Sequence, residues 1–117
     1  MDKKAQRKQL TAEYKRTHTE AGVYRMVNTQ TGRALLGSSA NLESVRNKLK
    51  FAQTTRSASA LDYRLAADVR RIGPDAFTFE VLEVLETRTE MTPAEIASDL
   101  ATLEALWREK LDPALLY

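Results

Sequence analysis

The segment AGVYRMVNTQTGRALLGSS, residues 21–39, decides how this chain folds. Gly22 to Val27 has the β-branched and aromatic content that is typical of a strand. Residues 28–32, NTQTG, have the composition of a turn, and Arg33 to Gly37 returns as a second strand. The segment therefore predicts a β-hairpin.

Two helices are predicted directly after the hairpin. Ser38 to Asn41 offers side chains that can cap the first of them. A polar stretch from Gln53 to Ser59 leads to the second, which ends at Gly73-Pro74 because proline cannot continue a helix. Apolar residues recur at helical spacing in both segments, on Leu42, Val45, Leu49 and Ala52 in the first and on Leu61, Leu65, Val69 and Ile72 in the second.

A third strand and a last helix complete the predicted elements. Ala76 to Leu85 carries apolar residues on both faces, which predicts a central strand covered on both sides. The run Thr92-Pro93-Ala94-Glu95 is a capping box with proline at the first helical position. The helix behind it spaces its apolar residues for burial along one face, and Trp107 is expected in the core.

Residues 2–16 have helix-forming composition with few apolar positions, so they predict an exposed N-terminal helix. The predicted fold is a small α+β domain, with a three-stranded, mainly antiparallel sheet flanked by helices on both faces. We divide the chain into a basic helix or arm (1–19), the domain itself (20–112) and a C-terminal tail (113–117).

Composition excludes several classes of protein. A length of 117 residues with 43% hydrophobic and 29% charged residues indicates one globular domain. Zero cysteines exclude disulfides and thiolate metal sites, and a single histidine, His18, excludes any site that needs two. No apolar run is long enough to span a membrane, so a cytoplasmic protein is expected.

Charge is distributed unevenly along the chain. Residues 1–73 carry fifteen basic and six acidic residues, whereas residues 74–117 carry three basic and ten acidic ones. A basic surface of this density could bind phosphates. The two parts could equally complement each other within the fold.

A set of short motifs in a fixed order resembles the GIY-YIG nuclease family. Gly22-Val23-Tyr24 resembles its first motif, and Leu35-Leu36-Gly37 followed by Ser38-Ser39-Ala40-Asn41-Leu42 resembles the second. Residues 77–83, FTFEVLE, resemble its third strand, and residues 103–107, LEALW, resemble the helix with its metal-binding glutamate. The resemblance covers roughly residues 20–110.

The resemblance implies a hydrolytic site. Tyr24 would be the general base and Glu104 the ligand of one magnesium or manganese ion, while an arginine would neutralise the charge that develops on the phosphate. A tyrosine ordinarily has a pKa of about 10, so nearby cations would have to favour its phenolate. Tyr24 could instead be an ordinary half-buried aromatic residue, and Glu104 could simply pair with Arg108 one turn along its helix.

Three positions depart from the family's pattern. Leu35 replaces the tyrosine of the second motif, Val45 stands where the arginine is expected, and Leu49 replaces a polar residue. Arg46 is adjacent to the arginine position, although one residue along a helix turns a side chain by about 100°. Arg46 or Arg33 could supply the missing cation.

These departures favour a domain that binds nucleic acid, DNA rather than RNA, with weak or lost phosphodiesterase activity. An active endonuclease that uses Tyr24, Arg46 and Glu104 with magnesium or manganese is the alternative. A protein-interaction module with a protein partner or a second copy is the third interpretation. Gly22 and Gly37 are expected to serve backbone geometry. The residues expected to contact nucleic acid are Arg33, Lys48, Lys50 and Arg56.

Overall fold

The computed structural model describes residues 20–117. The helix expected at residues 2–16, the arm at 1–19 and His18 lie outside the described residues. The strands are β1 (Ala21–Asn28), β2 (Ala34–Ser39) and β3 (Phe77–Leu85). The helices are α1 (Leu42–Thr55), α2 (Tyr63–Ile72) and α3 (Pro93–Lys110), with short 3-10 turns at Pro74–Ala76 and Pro113–Leu115.

The predicted hairpin is confirmed, and it forms one half of a three-stranded antiparallel sheet with the order β2-β1-β3. Asn28 organises the turn of the hairpin. Its side-chain oxygen accepts hydrogen bonds from the backbone N–H groups of Gln30 and Thr31, at 3.0 and 3.3 Å. Gly32 then adopts a φ of +79°, a conformation that favours glycine.

Helices cover both faces of the sheet, as the sequence predicts. Cross-strand partners share a face, so Ser38 and Glu83 lie on the same face as Val23, with which both pair. Helix α3 is hydrogen-bonded to this face through Ser38 and Glu83. The opposite face packs against α1 and α2 in a core formed by Met26, Leu35, Leu49, Leu65, Val69 and Phe77.

The expectation that the third strand is central is wrong. β1 occupies the middle of the sheet, and β3 is an edge strand. Val81 is 38% exposed and Val84 is 43% exposed, so the apolar residues of β3 are only partly covered within the described chain. The register also shifts between Val23 and Tyr24, which leaves Leu82 without a partner in β1. Such an irregularity increases the local twist of a strand pair.

The helix boundaries follow their capping residues. Asn41, within the run predicted to cap α1, does so by accepting a hydrogen bond from the N–H of Ser44. Ser38 does not cap the helix, because its hydroxyl donates to Glu104. The predicted capping box of Thr92 and Glu95 is present at the start of α3. Trp107 is half-buried rather than part of the core, because its indole N–H donates to the exposed carboxylate of Glu83.

The last residues of the chain dock against the sheet. Leu116 forms a parallel bridge with Ala34, and the backbone N–H of Tyr117 donates to the carbonyl oxygen of Ala34. The hydroxyl of Tyr117 donates to Asp68 at 2.6 Å and accepts from the side-chain amide of fully buried Asn28 at 3.0 Å. Within residues 20–117, no helix has the length and apolar character needed to cross a membrane.

Candidate functional site

Tyr24 lies on β1, facing α1 and α2, and its ring extends across the neighbouring strand. A Cβ atom at Gly37 of β2 would come within 2.6 Å of the Tyr24 hydroxyl oxygen and 2.7 Å of the adjacent ring carbon. The same ring stacks on Phe79 of β3, with the ring centroids 5.4 Å apart. Gly37 is therefore required by the close approach of Tyr24, and not by its own backbone angles.

The environment of Tyr24 opposes the ionised form that a general base needs. Burial raises the pKa of Tyr24 above its ordinary value, and the carboxylates of Asp62 and Glu104 raise it further. Arg64 acts in the opposite direction but less strongly. The tyrosine hydroxyl makes no hydrogen bond with any residue from 20 to 117, so it is free to contact a ligand.

Asp62 and Arg64 stand beside Tyr24 as a tightly joined pair. Asp62 caps α2, and its two carboxylate oxygens accept from Nε and Nη2 of Arg64 at 3.0 and 2.9 Å. This bidentate pairing lowers the pKa of Asp62 and raises that of Arg64. The guanidinium is thus paired with a carboxylate, and it lies on α2 rather than on the first core helix, where the resemblance places the family's arginine.

Glu104 projects from α3 toward β2, on the opposite face of the sheet from Tyr24. One of its carboxylate oxygens accepts from the hydroxyl of Ser38 at 2.8 Å, and the other accepts from Arg108 at 3.0 Å. Ser38 follows Gly37 directly, so the Tyr24 hydroxyl and the Glu104 carboxylate approach the same part of the edge strand from its two faces. The pairing of Glu104 with Arg108 is the structural role that the sequence analysis kept open.

In this arrangement Glu104 is not free to hold a divalent metal ion. Magnesium is commonly bound through one or two carboxylates, with water and substrate phosphates completing its six oxygen ligands. Among residues 20–117, no group of three His, Asp or Glu side chains comes together, so an ion at Glu104 would depend on water and phosphate for its other ligands. Both carboxylate oxygens of Glu104 are engaged, and the guanidinium of Arg108 would be 3.0 Å from the ligand oxygen and repel the ion.

The three positions that depart from the family's pattern hold apolar side chains in or against the core. Leu35 and Leu49 belong to the buried core, and Val45 packs against it. Leu35 and Val45 also line a cleft of about 250 Å³, whose other lining residues include Tyr24, Lys48 and Asp62. The two positions therefore contribute no polar group to a cleft whose lining is otherwise mixed.

Arg46 points toward the β3 side of the domain. Its guanidinium pairs with Glu43 at 2.9 Å and lies over the ring of Phe79, 5.2 Å from the ring centroid. Phe79 in turn stacks on Tyr24. Arg46 thus lies one aromatic ring away from Tyr24, and it is held by contacts with Glu43 and Phe79.

The basic residues expected to contact nucleic acid occupy three places. Arg33 stacks on the ring of Tyr117 at 4.3 Å, beside the docked C-terminus. Arg56 ends α1 in a left-handed conformation and pairs with Asp75 at 2.5 Å. Lys48 and Lys50 are exposed on α1 and form no ion pair with any residue from 20 to 117. Within the described residues, Arg56 alone of the four is paired with a carboxylate, and the two lysines are the unpaired cations that lie on α1.

This arrangement of sheet and helices is that of a GIY-YIG-like fold. A solved structure, the catalytic domain of the intron endonuclease I-TevI in a mutant form, matches this chain with a TM-score of 0.58. The match covers 80% of this chain and 84% of that chain, at 15% sequence identity. The chain therefore has a GIY-YIG-like fold. No protein-family model and no curated protein matches it.

Three site residues were missed by the predictions from sequence. Asp62 and Arg64 approach Tyr24 from α2, which starts 39 residues after Tyr24. Ser38 resembled a helix cap, and only the pairing of β1 with β2 turns it toward α3. For Ser38, the signal that the sequence did contain is its place directly after Gly37, the glycine of the second motif.

Proposed function

We propose that this chain is a nucleic-acid-binding domain, with DNA as its preferred ligand, in which phosphodiester hydrolysis is weak or absent. The proposal is carried by Leu35 and Val45, which occupy the family's tyrosine and arginine positions and pack in or against the hydrophobic core. Loss of one preorganised charge donor lowers a catalytic rate by roughly 10²–10³. With both groups missing from one cleft, we expect little or no phosphodiester hydrolysis.

Binding itself is supported by fold and charge together. The solved structure that this chain resembles is an endonuclease domain, and the exposed Lys48 and Lys50 lie on the helix that borders the cleft. Contacts of lysine with phosphate are electrostatic and independent of sequence. We therefore expect modest affinity that decreases steeply as salt is raised.

A salt series with charge-reversal variants tests this proposal. Lys48→Glu with Lys50→Glu should weaken binding to labelled DNA, and each phosphate contact that is lost should reduce the log–log salt slope by about 0.7–0.9. Lys110→Glu is the matched control, because Lys110 lies on α3 at the other face of the sheet, stacked on Trp107. An equal loss in the control would contradict the proposed surface.

An active endonuclease is the alternative, favoured by the convergence of Tyr24 and Glu104 on one edge strand. It would need magnesium or manganese bound at Glu104 and a cation such as Arg46 at the phosphate. Labelled single- and double-stranded DNA and RNA, incubated with manganese beside a Glu104→Ala control, decide between the two. We expect no difference between the proteins, whereas cleavage lost in the variant would establish the enzyme.

A protein-interaction module gives a third, separate result. Unchanged DNA mobility at low salt, together with a molecular mass that increases with concentration, would point to a partner protein or a second copy. That result would overturn nucleic-acid binding.

A further inference from the structure

Two adjoining depressions run along the exposed side of α1, and we call them together the α1 groove. The smaller is the cleft of about 250 Å³ described above. The larger is an open depression of about 480 Å³ that includes Phe51 and Asn47. Lys48 and Ala60 line both, so the two form one continuous surface.

The cleft end of the groove has the chemistry of a site for a flat ring with polar edges. Its lining includes the half-buried Val45 and Leu61, which offer apolar contact. It also includes Tyr24, whose hydroxyl has no hydrogen-bond partner among residues 20–117, and the carboxylate of Asp62, which together offer a hydrogen-bond donor and an acceptor. Sites for drug-sized ligands begin at about 300 Å³, so this one suits a smaller group.

The charges along the groove favour an anion at its middle. Glu43 is paired with Arg46, and Asp62 is paired with Arg64, so neither carboxylate acts as an isolated negative charge. Lys48 lies between the two depressions and has no ionic partner among residues 20–117. A phosphate bound at Lys48 would place the group attached on one side of it within reach of the smaller depression. The group attached on its other side would be within reach of the larger one.

Phe51 supplies an aromatic face at the other end. Its side chain is 53% exposed, which is unusual for a phenylalanine on a helix that packs against a core. Exposed aromatic rings beside cations are the stacking surfaces on which proteins hold the bases of single strands. The bases of a duplex are stacked on one another and cannot reach such a ring.

We propose that the α1 groove binds single-stranded nucleic acid, with an unpaired base in the smaller cleft, a backbone phosphate at Lys48 and a neighbouring base stacked on Phe51. This rests on the proposed nucleic-acid binding and names the class of ligand. The free edges of an unpaired base would meet the Tyr24 hydroxyl and the Asp62 carboxylate. The recognised chemistry is base plus phosphate, which DNA and RNA share.

The test compares three labelled probes of equal length by fluorescence anisotropy at low salt. They are a mixed-sequence single strand, its blunt duplex, and a strand of abasic residues with the same backbone charge. We expect the single strand to bind more tightly than either of the others. Because stacking contributes about 1–3 kcal/mol per base, Phe51→Ala should weaken single-strand binding ~5- to 150-fold. The same variant should leave the abasic strand unchanged.

Two further variants keep the result independent of protein stability. Tyr63→Ala is the matched control, since Tyr63 is an 83% exposed aromatic residue on α2 outside the groove, and it should bind like the wild type. Ala60→Trp should fill the junction of the two depressions and abolish the preference for the base-carrying strand. Melting curves confirm that each variant is folded.

The outcomes separate this proposal from the previous one. Equal binding of the abasic and base-carrying strands, or of duplex and single strand, would overturn the single-strand site while nucleic-acid binding stands. An equal loss in Phe51→Ala and Tyr63→Ala would also overturn it. Failure to bind any of the three probes would overturn both proposals.

Discussion

The ring of Tyr24 lies directly on the backbone of Gly37, so that any side chain at Gly37 would meet the tyrosine hydroxyl at 2.6 Å. The glycine of the second motif therefore makes room for the tyrosine of the first, across one strand pair. This contact places the hydroxyl over the edge strand, next to the residue that binds Glu104. The two motifs are thus one structural unit, whether or not the domain retains any chemistry.

A double-mutant cycle measures this relationship. Gly37→Ala should lower the free energy of unfolding by about 1–3 kcal/mol, because the new methyl group displaces the ring of Tyr24. In a Tyr24→Ala background the same substitution should cost much less, since the obstacle is gone. Denaturant unfolding of the four proteins gives the coupling energy. Strict additivity would show that the contact has no energetic weight.

Gly22 provides the contrast for that cycle. A Cβ atom there would meet the backbone carbonyl oxygen of Glu83 at 2.3 Å, which cannot move aside as a side chain can. Gly22→Ala should therefore be more destabilising than Gly37→Ala. Substitution of Tyr24 should not relieve it, and rescue of both glycine variants alike would contradict the steric explanation.

Removal of one hydroxyl at the C-terminus should weaken the whole fold. In Tyr117→Phe, Asp68 loses a donor at 2.6 Å, and the buried amide of Asn28 keeps only a 3.4 Å contact with Asp68. A buried polar group without a good partner costs about 1–3 kcal/mol, so the unfolding midpoint in urea should decrease accordingly. Tyr63→Phe, on an 83% exposed residue, is the control and should change nothing.

The ionisation of Tyr24 can be followed by the ultraviolet absorbance of phenolate. Burial raises the pKa of Tyr24 above 10, so the difference between wild type and Tyr24→Phe should titrate above pH 10. The unfolded tyrosine has the ordinary pKa, so the stability that depends on this group is full below pH 10 and is lost as pH rises through the folded pKa. Circular dichroism at each pH separates ionisation from unfolding. A midpoint below pH 10 would instead support a tyrosine base.

Asp68 should govern part of the stability in acid. The hydrogen bond from Tyr117 lowers the pKa of Asp68, and Arg71 lowers it further. Because the folded pKa lies below 3.8, this contribution is present above pH 3.8 and is lost as pH falls through the folded pKa. Asp68→Asn should be less stable at neutral pH and less sensitive to acid. An unchanged acid limb of the stability curve would remove Asp68 from this role.

Restoring the family's residues one at a time should harm the fold. Val45→Arg would place a cation against the core in a cleft whose carboxylate, Asp62, is already paired with Arg64. Leu35→Tyr would overfill a site that is 3% exposed. We expect about 1–3 kcal/mol of destabilisation from the overpacked tyrosine and at least as much from the arginine. Arg46→Ala, in a solvent-exposed pair, is the control and should cost less than about 1 kcal/mol. Thermal melts of the three variants suffice.

Much of the fold could be predicted because local sequence patterns determined it. The turn at residues 28–32, the capping box at Thr92 and the apolar spacing of α1 each act within a few residues of one another. The edge position of β3 could not be predicted, because no local pattern determines which strand of the hairpin β3 pairs with. A valine such as Val84 can occur in a central strand or in a partly exposed edge strand, so its identity does not distinguish the two.

The site was less predictable for a related reason. Tyr24 and Glu104 were found through the resemblance, but their partners Asp62 and Ser38 come from elements that the sequence cannot orient. Likewise, helical spacing showed that Arg46 turns away from Val45, yet the stacking of its guanidinium on Phe79 depends on the position of β3. Contacts between distant elements require the three-dimensional packing.

On the proposed function, Leu35 and Val45 also determine how readily this domain could acquire nuclease activity. Catalytic groups that act as a unit contribute little singly. Leu35→Tyr would have to displace part of the buried core, and Val45→Arg would disturb the residues packed against it. Each single substitution toward a catalytic site is therefore expected to lower the stability of the fold without a compensating gain in rate. Directed evolution from this chain would need paired substitutions on a stabilised background, because single variants would lose stability and gain no activity on which selection could act.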